Sequence, residues 1–279
     1  MNKLMFLWFA VKTTFCTCQP DHRINDFEKI RSHYKISKIG KLPAVVNESS
    51  GLARSKKAGS FLTHNDSGGK PELYEFDING KLLSTERIPD AKNRDWEDLA
   101  EDENGTIYIG DFGNNSNQRN DLAIYKHKPG SPLTEKISFS YQNQSINPSS
   151  SKSPAFNCEA FFYHKNQLYL FSKEYDKNGS VKLYSLPVQP GKYSLSPMDS
   201  IRISSPVTAA DISPDGKTFV LLTYGKILLF EVSAGKIDFS RPKGCFRFVK
   251  KQAEAILFLN NTDMLVTNEQ GDMYRITYR

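Results

Sequence analysis

At 279 residues the chain is long enough for one large core, and its length alone does not require a second domain. The formal charge of +6 is distributed among both signs, with no basic run longer than Lys56-Lys57 or Lys250-Lys251, which excludes a nucleic-acid-binding stripe. An aromatic content of 12%, with 13 Tyr and 18 Phe, favours half-buried strands.

Met1-Asn2-Lys3 is a short basic start, and residues 4–11 form an apolar run too short to span a bilayer, the layout of an export signal. Cys16 and Cys18 follow directly, before the chain turns polar at Gln19-Pro20-Asp21. This resembles a bacterial lipoprotein signal, in which the cysteine after the cleavage point carries the lipid. Cys18 is the candidate and Cys16 the alternative. Neither Thr14-Phe15 nor Cys16-Thr17 makes a good lipobox, and Lys12 interrupts the apolar run, so an ordinary cleaved signal is the competing reading. Residues 1–18 are thus expected to be an export segment and 19–33 a linker. Membrane contact is expected through a lipid anchor only, at the periplasm or cell surface, with secretion if no lipid is attached.

From residue 34 onward five segments share one layout: a small or acidic residue, an apolar strand, a turn, a second apolar strand, a polar break and a third strand. The first opens at Ser50-Gly51-Leu52-Ala53 and continues through Ser60-Phe61-Leu62-Thr63-His64-Asn65-Asp66 and Glu72-Leu73-Tyr74-Glu75-Phe76-Asp77. The second runs from Trp96-Glu97-Asp98-Leu99-Ala100 through Thr106-Ile107-Tyr108-Ile109-Gly110-Asp111 to Asp121-Leu122-Ala123-Ile124-Tyr125. The third begins at Cys158-Glu159-Ala160-Phe161-Phe162, the fourth at Ala209-Ala210-Asp211-Ile212-Ser213, and the fifth at Glu254-Ala255-Ile256-Leu257-Phe258. Anchored at Ser50, Glu97, Glu159, Ala210 and Glu254, the repeat recurs about every 44 to 62 residues, a period that fits four-stranded propeller blades.

Each of the first four units has a fourth candidate strand, at residues 81–88, 136–141, 200–203 and 245–249. The fifth unit ends without one, while Tyr34-Lys35-Ile36-Ser37-Lys38-Ile39 lies unclaimed before the first. The predicted fold is therefore an all-β, single β-propeller over residues 34–279, closed by its N-terminal strand, which removes the open edge of a linear array. Five blades are favoured. A sixth would have to hide in the long step from Glu97 to Glu159, which reads instead as a polar insertion at 142–154. Cys158 and Cys245 fall on an inner and an outer strand of different blades, so two free buried thiols are expected rather than a disulfide.

The first strand of each blade lines the channel, so Ser50, Glu97, Glu159 and Glu254 are expected to converge near the axis. Crowded carboxylates repel one another, and either protons or a cation must relieve them. Oxygen-only donors favour a hard ion, Ca²⁺ over Mg²⁺ where six to eight ligands can gather. The competing reading is that each glutamate caps its own blade. Where the second strands end, His64, Asn65 and Asp66, then Asp111, Asn114 and Asn115, then Lys173 and Glu174, then Tyr224, and then Asn268 and Glu269 would form a polar rim. Such a rim suits a small polar or phosphorylated ligand, or a protein partner. Asn, Asp and Gly also serve as ordinary turn residues, the alternative at each single position. His64 and Asp66 share a strand face, but no nucleophile accompanies them, and no hydrolase elbow, Walker loop, zinc-protease helix or dinucleotide fingerprint occurs. A monomer is expected.

Asn47-Glu48-Ser49-Ser50-Gly51-Leu52-Ala53, Thr63-His64-Asn65-Asp66-Ser67-Gly68, Asp95-Trp96-Glu97-Asp98-Leu99-Ala100 and Gly110-Asp111-Phe112-Gly113-Asn114-Asn115 carry a resemblance. They are similar to motifs of a group of exported bacterial propeller proteins, many of them predicted lipoproteins. That resemblance spans about residues 40–279 and implies fold and export but no reaction. The unit layout also resembles the calcium-activated apyrases, five-bladed propellers that hydrolyse nucleoside diphosphates around a channel Ca²⁺. On that resemblance Ser50, Glu97, Glu159 and Glu254 would be the Ca²⁺ ligands. Where those enzymes carry Asp-Asp-Arg-Thr-Gly, this chain has His64-Asn65-Asp66-Ser67-Gly68, so the phosphate-holding arginine is missing, and Ala209 or Ala210 stands in place of their fourth-blade serine. A looser similarity exists to phytase-like esterase propellers. Two functions follow: a cation-holding binding module, which is favoured, or a Ca²⁺-dependent phosphohydrolase.

Overall fold

The computed structural model describes residues 17–142, 144, 156–173, 180–249 and 252–279. Five sheets of antiparallel strands stand around one axis. The first blade comprises Ser49–Arg54, Ser60–Asn65, Glu72–Asp77 and Leu82–Arg87, from the axis outward. The second is built from Trp96–Glu101, Ile107–Asp111, Ala123–His127 and Thr134–Tyr141, and the third from Cys158–His164, Gln167–Ser172, Val181–Pro187 and Asp199–Ile201. Val207–Ile212, Thr218–Thr223, Gly225–Glu231 and Pro242–Phe248 make the fourth. Ala253–Phe258, Met264–Asn268 and Asp272–Tyr278 make the fifth, whose outer strand is Tyr34–Lys41, paired antiparallel with Asp272–Tyr278. The ring is thus a five-bladed propeller closed by its N-terminal strand, as the unclaimed segment before the first unit requires.

Both faces of every blade pack against a neighbour, which is why the inner strands read as nearly continuous apolar runs. Alternation along a strand sends successive side chains to opposite interfaces. Ala160 and Phe162 join Phe219 and Leu221 between the third and fourth blades, while Phe161 faces Tyr108 and Phe112 of the second. Five apolar clusters result, one for each interface between adjacent blades.

The alternation breaks at one place in each inner strand. Pairing shifts register between Ser49 and Leu52, Trp96 and Leu99, Cys158 and Ala160, Val207 and Ala209, and Ala253 and Ala255. Such bulges re-aim the extra residues. They fall at Ser50-Gly51, Glu97-Asp98, Glu159, Thr208 and Glu254, so the fourth-blade equivalent is Thr208 and not Ala210. The hydroxyl of Thr208 donates to the Ala253 carbonyl at 2.8 Å. In the second blade Asp98, fully buried, accepts from the backbone N–H groups of Leu99 (2.9 Å), Phe161 (3.2 Å) and Ala210 (3.2 Å), tying three blades together near the axis.

Two strands extend the blades beyond four. Gly191–Leu195 adds parallel to Thr134–Tyr141, and Glu28–Lys29 adds parallel to Pro242–Phe248. The second addition corrects the reading of 19–33 as a linker. Gln19–Asn25 is a short helix with Pro20 in its first turn, Phe27 is fully buried edge-on to Phe230 at 5.1 Å, and Asp21 forms a buried ion pair with Lys226. Asp21 also accepts from the Ser204 N–H at 3.0 Å. Cys18 is joined to Cys245 by a disulfide spanning 227 residues of sequence, so Cys245 is not the free thiol expected. The bonded sulfur also corrects Cys18 as the lipid-bearing residue, since a disulfide sulfur offers no thiol for acylation chemistry. Cys158 is fully buried, and Cys16 lies outside the described residues. No helix among the described residues is long and apolar enough to cross a membrane.

A crosslink of this span restricts the unfolded chain strongly. Cys18→Ser/Cys245→Ser, or reduction of the wild type, should lower unfolding free energy by about 2–5 kcal/mol. Denaturant unfolding with and without reductant measures it, and the double variant should show no further response to reductant.

Candidate functional site

Each inner strand starts beside the end of its second strand: Ser49 pairs with Asn65, Trp96 with Asp111, Cys158 with Ser172, Val207 with Thr223, and Ala253 with Asn268. The residues aimed at the axis by the bulges and those ending the second strands therefore share one mouth. Two unlike arrangements occupy it.

On the side of the first two blades, ligand oxygens of Asp66, Asp95 and Glu97 all lie within 4.8 Å of one another. Asp95 precedes Glu97 by two residues, and its place is fixed from behind. Its backbone N–H donates to Asp111 Oδ1 at 3.1 Å, its carbonyl accepts from Gly113 N–H at 3.1 Å, and Arg119 holds both Asp111 Oδ1 (3.1 Å) and the Gly113 carbonyl (2.8 Å). Gly113 leaves the room the acids use: a Cβ there would sit 2.1 Å from Glu97 Oε1 and 2.4 Å from the Asp95 carboxyl. Burial first, and then the Glu159 and Asp66 charges, push the Glu97 carboxyl well above its ordinary range. Burial likewise raises Asp66 to about 7.

On the side of the third to fifth blades, Lys173 inserts its ammonium into the mouth. It forms a buried ion pair with Glu159 and donates to the Tyr224 hydroxyl at 3.3 Å, and Tyr224 in turn donates to Glu254 Oε1 at 2.7 Å. Asn157 Nδ2 donates to the other Glu159 oxygen at 3.1 Å. Burial raises Glu254 to about 8, against the opposing pull of Lys173.

The expected cation set is therefore divided. Glu97 lies in the close cluster, Glu159 and Glu254 are engaged by Lys173 and Tyr224, and Ser50 is buried beside Gly51. A Cβ on Gly51 would meet the Leu99 nitrogen at 2.7 Å, so only glycine lets the first two blades approach this closely. Asp66, expected on the rim, belongs to the cluster, and Asp95, in the bend just before the inner strand that carries Glu97, was missed. Several rim residues serve the scaffold. Asn65 Oδ1 accepts from the N–H groups of Asn47 (3.0 Å) and Glu48 (3.3 Å), and Asn114 ties Arg119 N–H to the Phe156 carbonyl. Asn115 accepts from Asn157, and Asp111 holds Asp95 and Arg119. His64 does not meet Asp66: its Nδ1 lies 2.9 Å from the Asn65 carbonyl, its ring is edge-on to Trp96, and burial lowers it to about 4. Glu269, raised by burial, pairs with the Gln252 amide at 2.6 Å, and Glu174 lies outside the described residues.

The donor set is all oxygen, half-buried and electrostatically strained, with a glycine-lined space beside it. These residues fit a hard divalent cation.

No sequence-family model matches the chain, and no curated protein sequence matches it. Among solved structures it is similar to a gluconolactonase from Xanthomonas campestris described as important in glucose secondary metabolic pathways, with a TM-score of 0.51 and 9% identity over 88% of this chain and 90% of that one. At that identity the likeness bears on the propeller fold. It does not bear on the lipoprotein, apyrase or phytase-like resemblances.

Asp66 rises from 3.8 to about 7 and Glu254 from 4.5 to about 8 on folding, so the folded state holds these protons more tightly than the unfolded chain. Their contribution is full below the unfolded values and is lost as pH climbs through 7 to 8. The cation-free protein should melt at progressively lower temperature from about pH 5 to about pH 8, with a shallower fall in Glu254→Gln. Lys173→Met strands a buried carboxylate, and should cost about 3–5 kcal/mol in denaturant unfolding at neutral pH.

Proposed function

We propose that this chain is an exported propeller that binds one divalent cation, Ca²⁺ by preference, at Asp66, Asp95 and Glu97, and that the occupied mouth takes a small anionic ligand. The observation that carries this reading is the close approach of three carboxylates from two blades, with their ligand oxygens within 4.8 Å. A cation answers the burial, and the mutual repulsion added to it, that otherwise drive these groups toward protonation. Three carboxylates leave coordination positions for water and for an oxygen of the ligand, which suits the larger and more flexible shell of Ca²⁺. Lys173, though paired with Glu159, adds positive charge to the same mouth. Export is supported by the basic-then-apolar N-terminus and by the Cys18–Cys245 disulfide, which persists in oxidising compartments.

A second reading is hydrolysis at the same mouth. It is favoured by two carboxyls, Asp66 at about 7 and Glu254 at about 8, whose protonation lies where a general acid or base works best. A divalent ion bound there would supply Lewis-acid polarisation of a carbonyl or phosphoryl oxygen. The similarity to a gluconolactonase makes a lactone a sensible probe beside phosphate esters.

Calorimetric titration of the purified chain with Ca²⁺ should show one site, weakened at least about tenfold in Glu97→Gln and in Asp95→Asn. Absence of binding by Ca²⁺ and by other divalent ions would return the cluster to a structural role. Turnover of a nucleoside diphosphate, a generic phosphate ester or a gluconolactone, lost on chelation and in Glu97→Gln, would establish the hydrolase reading. Cation binding without turnover would leave the binding protein.

A further inference from the structure

The N-terminal strap touches more than the outer edge of the fourth blade, because its short helix, Gln19–Asn25, reaches the loop that leads into that blade's inner strand. Asp21 and Asn25 lie one turn apart on the same helix face. Asn25 Nδ2 donates to the Arg202 carbonyl at 2.7 Å, and Asp21 accepts from the Ser204 N–H at 3.0 Å and the Ser204 hydroxyl at 3.1 Å. The helix is itself fixed at its start, where Cys18 is bonded to Cys245 of the outer strand.

The loop held in this way clamps Tyr224. That residue is the whole connection between the second and third strands of the blade, Thr218–Thr223 and Gly225–Glu231, and Gly225 takes φ 107° to make so short a turn. The Tyr224 N–H donates to the Pro206 carbonyl at 3.3 Å, and its carbonyl accepts from the Ser205 hydroxyl at 2.7 Å. On the far side of the turn, fully buried Lys226 sends its ammonium to Asp21 and, at 2.6 Å, to the Ser204 hydroxyl. Asp21 thus joins both arms of the clamp, the 204–206 loop and the Tyr224–Lys226 turn. A residue that turns the chain alone has no pleat to direct its side chain, so the clamp on its backbone sets where the Tyr224 ring points.

That direction matters at the mouth. The Tyr224 hydroxyl accepts from Lys173 at 3.3 Å and donates to Glu254 Oε1 at 2.7 Å, and the Lys173 ammonium lies 5.2 Å from the centre of the ring. Tyr224 therefore helps to keep Lys173 on the side of Glu159 and Glu254. The Lys173 charge already acts on the Asp95 and Glu97 carboxyls, so an ammonium released from Tyr224 turns toward them and competes with a cation.

We propose that Asp21 is a positioning residue of the carboxylate mouth: from the strap it fixes the Tyr224 turn, and through Tyr224 it keeps the Lys173 ammonium clear of Asp66, Asp95 and Glu97. This role rests on the cation-binding reading of those three acids.

Asp21→Leu/Lys226→Met tests it by removing both charges together, so that no buried ion is left unmatched. Amide hydrogen exchange should rise at least about tenfold at Tyr224 and Gly225 and stay unchanged at Leu62 and Thr63 of the first blade, which also shows that the variant is folded. Titration with Ca²⁺ should be weakened about threefold or more in this variant and in Tyr224→Phe alike, and the two combined should bind no more weakly than the weaker of them alone. A strap that only adds stability would give additive effects instead. Unchanged exchange at Tyr224 and Gly225 overturns the proposal, as do effects on Ca²⁺ that are absent or additive when the wild type binds it. A wild type that binds no divalent cation sinks the cation reading alone, and the exchange result then decides whether Asp21 positions Tyr224.

Discussion

The functional geometry of this molecule depends on a break in strand alternation repeated five times. A regular inner strand has only two directions for its side chains, and both lead into an interface with a neighbouring blade. No residue in perfect register points along the channel. The bulges at Ser50-Gly51, Glu97-Asp98, Glu159, Thr208 and Glu254 supply the third direction, because the extra residue leaves the pleat. The second blade has two such residues and divides their work. Glu97 faces the mouth, while Asp98 turns inward and accepts N–H donors from three blades. Burial pushes the Asp98 carboxyl well up, and the three donors pull it back, so the axis is organised by a group whose desolvation is answered by backbone.

Charge then separates the mouth into halves. A ring of equivalent acids would present a symmetric repulsion, but the third blade places Lys173 where its second strand ends. Its ammonium satisfies Glu159 and reaches Glu254 through the Tyr224 hydroxyl. That side is neutralised from within the protein. Among the described residues, the side of Asp66, Asp95 and Glu97 has no comparable insertion; Arg119 stands behind it, against Asp111 and the Gly113 carbonyl. The asymmetry explains why blade capping and cation binding, set as alternatives for one set of acids, apply to different members of it. Glu159 and Glu254 are held by protein groups, and the unrelieved acids lie in the first two blades.

How much of this was legible depends on whether a feature is local or created by pairing. The strands, the turns and the closing role of residues 34–39 are written in local apolar runs and in one missing outer strand, so the circular fold could be inferred. Gly191–Leu195 and Glu28–Lys29 are short segments that pair parallel to the outer edge of a blade, and a run of few apolar residues does not announce such a partner. Thr208 was hidden because the repeat was aligned on its apolar core, whereas the equivalence is set by the bulge. Asp95 was hidden because it lies in the bend before the strand and meets Glu97 only through the bulge, which no local pattern announces. The turn chemistry of Asn65, Asn114 and Asn115 prevailed at each because loop backbone near the mouth needs acceptors and donors that the blades do not provide.

The N-terminal strap shows why composition misled there. Residues 19–33 look like a polar linker, yet Asp21, Phe27 and Ile30 are buried against the fourth blade. Phe27 fills a core position against Phe230, and Ile30 occupies the space that a side chain on Gly244 would take, with its Cδ1 2.3 Å from the Cβ position. Asp21 is matched by a lysine on the next-to-outer strand, and Cys18 by a cysteine on the outer one. None of these contacts has a periodic signature, since each is made once and across most of the chain. Together they fasten the segment that leads into the closing strand, so the same N-terminal stretch both completes the last blade and is bonded to its neighbour. Blades four and five are thereby joined through Tyr34–Lys41 and the disulfide as well as through their packed faces. A ring closed by hydrogen bonds alone can open at its seam; this seam is covalently backed.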